Sequence, residues 1–171
     1  MQLPGIIVCL SVLAMPVLSQ ERLSPRDEFD VMVAGSEVRI QYGRPFAKGR
    51  KVYGNLVPDG KIWRTGADEV PVLSTSKRLR IGSLEIPPGM YGLLTIVQKE
   101  RWILIVSKDF KMRGVSDYNR KKDVGRVEMK PQEVPEFIEQ FTIEIENASA
   151  TGGLLAMGWA NVVASVAITP P

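Results

Sequence analysis

Residues 37–42, EVRIQY, alternate between charged or amide side chains and apolar or aromatic ones. A β-strand points successive side chains to opposite faces of its sheet, so this period of two indicates an antiparallel strand with one face in the core and one in water. Residues 141–146, FTIEIE, repeat the pattern. Gly35-Ser36 predicts a hairpin turn that joins residues 37–42 to the alternating residues 29–33.

Further short apolar runs lie between these two segments, separated by turn residues. Residues 90–97 and 102–106 are almost continuously apolar, which predicts a central hairpin covered on both faces. Gly82-Ser83 predicts another tight turn. The other candidate strands are residues 70–74, 79–81, 84–86, 124–129, 154–159 and 162–168. At most one short helix is expected, around residues 134–140, between Pro131 and the strand at 141–146.

Eight to ten short strands without a βαβ rhythm predict an all-β fold, an antiparallel β-sandwich or jelly roll. We expect residues 24–168 to form this single domain. Residues 43–69 carry five glycines and two prolines and keep no period, so they predict one long structured loop. Long loops inside compact domains are uncommon and often carry function.

The composition limits the chemistry that this domain can perform. The chain has no histidine, and its one cysteine, Cys9, lies in the N-terminal apolar segment. Histidine-dependent catalysis, disulfides, and zinc or copper sites built on imidazole or thiolate are therefore excluded for the domain. No Asp-x-Asp-x-Asp loop occurs, so we do not expect an oxygen-ligand metal site. We also expect no cofactor. The net charge of +3 is mild, and we expect no nucleic-acid partner.

Residues Leu3–Leu18 contain no charged side chain. A stretch of this length suits the apolar region of a signal peptide better than a full membrane span of roughly 20 residues. Ser19-Gln20 offers a cleavage point, but no Lys or Arg precedes the apolar stretch. Residues 1–19 are thus interpreted as a signal peptide or as a short retained anchor. Both predict an exported, periplasmic or extracellular protein, with membrane contact only if the anchor is retained.

Several short motifs follow one another in a distinctive order. They are YGRP (42–45), KGR (48–50), GNLVP (54–58), KIWRTGADE (61–69), IPPGMY (86–91) and DVGRV (123–127). Together they resemble a bacterial family of exported proteins, the domain of unknown function family 2911 (DUF2911). The resemblance spans residues 24–168. It implies an exported single-domain β protein and no established activity.

The long loop carries a strong excess of cations. Between Arg39 and Arg64 the only carboxylate is Asp59. These cations either face an anionic ligand, since a guanidinium fork matches carboxylate or phosphate, or pair with the protein's own carboxylates. Trp63 beside Arg64 is either an aromatic platform for a sugar-like ring or an anchor of the loop in the core. The candidate binding residues are Arg44, Lys48, Arg50, Trp63, Arg64, Thr65, Glu69, Asp117 and Tyr118.

Three functional hypotheses remain open at this point. The leading one is a non-catalytic extracytoplasmic binding module, with residues 44–69 as its surface for a small anionic or sugar ligand or for a protein partner. The second is an accessory subunit of a membrane-associated complex, held there by a retained leader. The third is a carbohydrate-active enzyme that uses two carboxylates, for example Glu69 with Asp117.

Overall fold

The computed structural model describes residues 24–171, and ten strands account for most of this part of the chain. They are β1 (Arg26–Val33), β2 (Ser36–Gly43), β3 (Ile62–Trp63), β4 (Val72–Thr75), β5 (Leu79–Ile81), β6 (Leu84–Ile86), β7 (Gly89–Val97), β8 (Trp102–Ser107), β9 (Asp123–Ser149) and β10 (Gly152–Thr169). The only helical elements in residues 24–171 are two 3-10 turns, Val115–Asp117 and Arg120–Lys122. The predicted all-β fold is confirmed.

The strands form an antiparallel sheet in the order β1-β2-β4-β7-β8-β9-β10-β5-β6, with β3 also paired to β7. Strand β9 connects its two halves. Its residues up to Met129 pair with β8, whereas those from Lys130 onward pair with β10. The sheet folds over at β9 into a sandwich-like domain. Tyr42, near the end of β2, bridges the two halves, because its hydroxyl donates to the Ile143 carbonyl of β9 at 3.1 Å.

The alternation that predicted β2 is present in the structure. Val38, Ile40 and Tyr42 are buried, while Arg39 is exposed. The β1–β2 turn has positive φ at two consecutive residues, Ala34 (53°) and Gly35 (71°). That conformation is typical of the tight hairpin turns that match strand twist, and glycine adopts it without strain at Gly35. The turn lies at Ala34-Gly35, one residue before the predicted Gly35-Ser36, because Ser36 already pairs with Val33 as the first residue of β2.

The short helix expected at residues 134–140 is wrong, because this segment is part of β9. The two candidate strands at 154–159 and 162–168 are likewise one bulged strand, β10, whose register against β9 shifts around Ala160. Around Pro131 and Pro135, β9 pairs with β10 only, so the missing N–H of a proline costs little there. Pro131 lies opposite Ala164, and Pro135 falls where the register shifts.

The main hydrophobic core lies between the two halves of the folded sheet. A second, smaller core covers the other face of β7 and β8, where Val70, Leu94 and Ile105 pack with Met112 from the loop at residues 108–122. In residues 24–171 no helix is long and apolar enough to cross a bilayer. The leader interpretation of residues 1–19 lies outside the described residues.

Candidate functional site

The first part of the long loop is attached to β9 by backbone hydrogen bonds. Ala47 donates to the carbonyl of Glu139 at 2.8 Å, and Phe141 donates to the carbonyl of Pro45 at 2.9 Å. The backbone N–H of Lys48 donates to the Glu139 carboxylate at 2.7 Å. These bonds fix the path of the loop along this edge of β9, in agreement with the prediction of a structured loop.

The arginines of this segment bind the protein itself. The guanidinium of Arg44 donates to the Asp27 carboxylate at 3.0 Å, to the Phe141 carbonyl at 3.2 Å and to the Thr142 hydroxyl at 3.0 Å. Arg50 donates to the carbonyls of Ala47 at 2.9 Å and Phe46 at 2.7 Å. Arg44 thus pairs with one of the protein's own carboxylates, as one of the two interpretations of the loop cations expects, whereas Arg50 binds backbone carbonyls.

Trp63 and Thr65 are buried at the end of the loop. The Trp63 side chain is 6% exposed, and its ring packs in the main core. The hydroxyl of Thr65 lies 3.0 Å from that of Thr95, and both side chains are fully buried. A sugar platform must be open to solvent, so Trp63 occupies the position of an anchor.

The remaining candidates lie on separate parts of the surface. Arg64 donates to the carbonyl of Asp68 at 3.3 Å, and Glu69 forms an ion pair with Arg26. Asp117 accepts from the backbone N–H of Arg113 at 2.9 Å, and Tyr118 donates to Asp123 at 2.7 Å. The structure does not bring the nine candidates together in one concave site.

A cleft of about 390 Å³ does open beside the second part of the same loop. Three pieces of chain form it: residues 53–59 of the long loop, the β7–β8 turn at residues 97–102, and residues 131–133 of β9 next to Val162 of β10. None of the nine candidate residues lines it. Its volume falls in the range of small-molecule sites.

The floor of the cleft is aromatic and aliphatic. The rings of Tyr53 and Trp102 meet edge to face, with centroids 5.8 Å apart and an interplanar angle of 62°. The Tyr53 hydroxyl donates to the carbonyl of Trp159 at 2.9 Å, which fixes the orientation of its ring. Burial raises the pKa of Tyr53, so this phenol is neutral at physiological pH. Val57, Val97 and Val162 complete the apolar surface.

The rim of the cleft is polar and charged. It carries the carboxylates of Asp59 and Glu133 and the ammonium group of Lys99, all on exposed residues. Among residues 24–171, none of these three side chains has an ion-pair or hydrogen-bond partner. Two carboxylates against one ammonium make the rim negative by one charge. The amides of Gln98 and Gln132 add donors and acceptors.

Sequence reasoning missed these residues because the cleft combines three segments that are far apart in the chain. Tyr53 and Asp59 lie inside the loop that was predicted to carry function, so the loop itself was the usable signal. Nothing local marks Lys99 or Glu133. In the part of the chain that the structure describes, no group of three or more metal-ligating side chains comes together.

Comparison with protein-family models matches residues 24–168 to a family described as "Protein of unknown function (DUF2911)". The curated proteins and the solved structures contain no match to the chain.

Proposed function

The chain belongs to the DUF2911 family, and we propose that it is a non-catalytic binding module that holds a small, sugar-like ligand in the Tyr53–Trp102 cleft. The observation that carries this proposal is one concave site with an aromatic floor and a rim of charged groups that have no partner in residues 24–171. Binding sites of small molecules combine an apolar surface with a few convergent polar groups in this way.

The charges of the rim favour a neutral polyhydroxylated ring. Hydroxyl groups donate to carboxylates, here Asp59 and Glu133, and accept from an ammonium group such as that of Lys99. The apolar C–H face of a sugar ring packs on an aromatic ring, which Tyr53 supplies. An anionic ligand would meet two carboxylates and one cation, so the anionic class expected for the long loop is disfavoured in this cleft.

The proposal keeps the extracytoplasmic location expected from the apolar residues 3–18. It also keeps the non-catalytic assignment, which rests on the chain's lack of histidine and on a cysteine confined to residue 9. The working surface moves from the cations of residues 44–50 to the other end of the same loop, residues 53–59.

Isothermal titration calorimetry with a panel of neutral mono- and disaccharides, and with glucuronate as an anionic counterpart, tests the proposal. We expect a neutral sugar to bind, and two changes to weaken its binding. Val162→Phe fills the cleft, and Glu133→Gln removes one carboxylate acceptor. The matched control is Glu128→Gln, which neutralises an exposed carboxylate of the same strand outside the cleft.

Three results would contradict this assignment. They are the absence of binding by any neutral sugar, equal losses in Glu133→Gln and Glu128→Gln, and loss of binding in Lys48→Gln or Arg64→Gln with Glu133→Gln unaffected. The last result would return the site to the loop surface first expected from the sequence. Circular dichroism of each variant confirms that it folds.

The same rim supports a second candidate, a carbohydrate-active enzyme that uses two carboxylates. Its observation is that Asp59 and Glu133 both line one cleft. Incubation with nitrophenyl glycosides separates the two functions. An enzyme releases nitrophenol and loses that activity in both Asp59→Asn and Glu133→Gln, whereas a binding module releases none.

A further inference from the structure

The loop at residues 108–122 carries a dense set of cations away from the cleft. It contains six lysines and arginines against two carboxylates, Asp109 and Asp117. One cation, Lys122, pairs with Asp109 at 2.5 Å. The other five are exposed and form no ion pair within residues 24–171. They are Lys108, Lys111, Arg113, Arg120 and Lys121.

This basic loop is held in one conformation by contacts at its base. Met112 is 2% exposed, and its carbonyl accepts from the N–H of Val70 at 3.1 Å. The hydroxyl of Tyr118 donates to Asp123 and accepts from Arg126 at 2.6 Å. Its cations are thus presented on an ordered backbone, which lowers the entropy lost on binding a surface.

Apolar side chains accompany the charges. Val115 is 42% exposed on the first 3-10 turn of the basic loop. On the sheet face that this loop partly covers, Ile62, Ile96 and Ile103 stand side by side in register on β3, β7 and β8, each half-buried. Cations grouped with exposed apolar side chains are the composition of segments that lie in the interface of an anionic membrane.

We infer that the basic loop docks this domain on the surface of an anionic lipid bilayer. The five unpaired cations are complementary to anionic headgroups, and Val115 is available to enter the headgroup layer. A soluble polyanion would use the cations but would gain little from Val115. This inference does not depend on the sugar-binding proposal or on residues 1–19.

Co-sedimentation of the full chain with lipid vesicles tests it. One set of vesicles is phosphatidylcholine alone, and the other contains about 30% phosphatidylglycerol. The uncharged residues 3–18 can bind both sets, so the quantity compared is the preference for anionic vesicles. We expect that preference to be strong at about 0.05 M NaCl and mostly lost at about 0.5 M, where charges are screened.

Two triple variants remove equal charge from different places. The first variant replaces Lys108, Lys111 and Lys121 with Gln. It should lower the affinity for anionic vesicles roughly 100-fold, since each cation near such a surface contributes about fivefold. The control variant replaces with Gln three exposed lysines of the long loop at residues 43–69, namely Lys48, Lys51 and Lys61. It should keep the affinity within about threefold, because it removes the same charge away from the basic loop.

Val115→Asn separates the bilayer from a soluble polyanion, because it removes the exposed apolar side chain without changing the charge of the loop. It should weaken binding to anionic vesicles while leaving binding to polyphosphate nearly unchanged. The inference is overturned if anionic and neutral vesicles bind equally, or if both lysine triples lose the same affinity. It is also overturned if polyphosphate binds while anionic vesicles do not. Titration of the same variants with the neutral sugars separates this result from the proposed function, because none of the substituted residues lines the cleft.

Discussion

The indole ring of Trp63 lies nearly parallel to that of Trp159, with centroids 5.9 Å apart and an interplanar angle of 16°. The ring of Phe141 meets both of them edge to face, at 5.1 Å from Trp63 and 5.9 Å from Trp159. These three rings join β3, at the end of the long loop, to the β9–β10 hairpin. The loop that forms one wall of the cleft is therefore fixed to the core at its C-terminal end.

Trp63→Ala should destabilise the domain by about 3–5 kcal/mol, the usual cost of deleting a large buried aromatic side chain. Urea denaturation followed by circular dichroism measures the change. Phe137→Ala is the control, since its ring is 54% exposed, and it should alter the free energy of unfolding by less than about 0.5 kcal/mol. Equal stability of the Trp63 variant and the wild type would contradict the anchor role.

Arg44 and Lys48 provide a second comparison, between a cation with internal partners and an exposed one. Arg44→Met should cost about 1–2 kcal/mol, because the Phe141 carbonyl and the Thr142 hydroxyl lose their donor. Arg44→Lys should recover little, since an ammonium group cannot reproduce the fork. Lys48→Met should cost almost nothing. Thermal denaturation of the three variants measures these differences. An Arg44→Met variant as stable as the wild type would contradict a structural role for Arg44.

The sequence predicted the parts of the fold whose signals are local. The alternation of polar and apolar residues predicted β2, because each side chain there indicates which face is buried. The continuous apolar runs predicted the β7–β8 hairpin, which is covered on both faces. The segment at residues 134–140 was mistaken for a helix because its strand conformation comes from long-range pairing, which no local pattern records. Ile138 pairs with Ala160 of β10, and Gln140 pairs with Phe46 of the long loop.

The cleft was hidden for the same reason. Its aromatic floor needs Tyr53 from the long loop to meet Trp102 from β8, more than forty residues away in the chain. Trp63 was more visible, yet an aromatic residue beside an arginine looks the same in sequence whether it faces solvent or the core. Burial decided between those two interpretations.

The close approach of Gly43 to residues 66–67 predicts a severe effect of adding one methyl group. A Cβ at Gly43 would lie 2.2 Å from the carbonyl oxygen of Ala67, a backbone atom that cannot rotate away. Gly43→Ala should therefore destabilise the domain by about 3 kcal/mol, at the upper end of ordinary overpacking costs.

Gly114→Ala is the matched control for this substitution. A Cβ there has its nearest neighbour at 3.9 Å, and the backbone of Gly114 is extended. We expect a change within about 0.5 kcal/mol. The midpoints of urea denaturation of the two variants measure the difference, and coinciding midpoints would show that the contact at Gly43 relaxes without cost.

Stability at alkaline pH should depend on Tyr53. Burial raises the pKa of this phenol above the unfolded value of about 10, so above that pH the unfolded chain loses a proton that the native state keeps. The native state then binds more protons, and the free energy of unfolding falls as the pH rises. Below about pH 10 both states keep the proton, and the contribution of Tyr53 is complete.

Tyr53→Phe removes this titration together with the hydrogen bond to the Trp159 carbonyl. The variant should be less stable at neutral pH by about 1 kcal/mol. Above pH 10 its stability should fall less steeply than that of the wild type, by up to about 1.4 kcal/mol per pH unit. Urea denaturation at a series of pH values, with tyrosinate absorbance as a second readout, checks both effects. Wild-type and variant curves that run parallel above pH 10 would mean that the phenol ionises in the native state as readily as in the unfolded chain, and that the floor of the cleft is open to water.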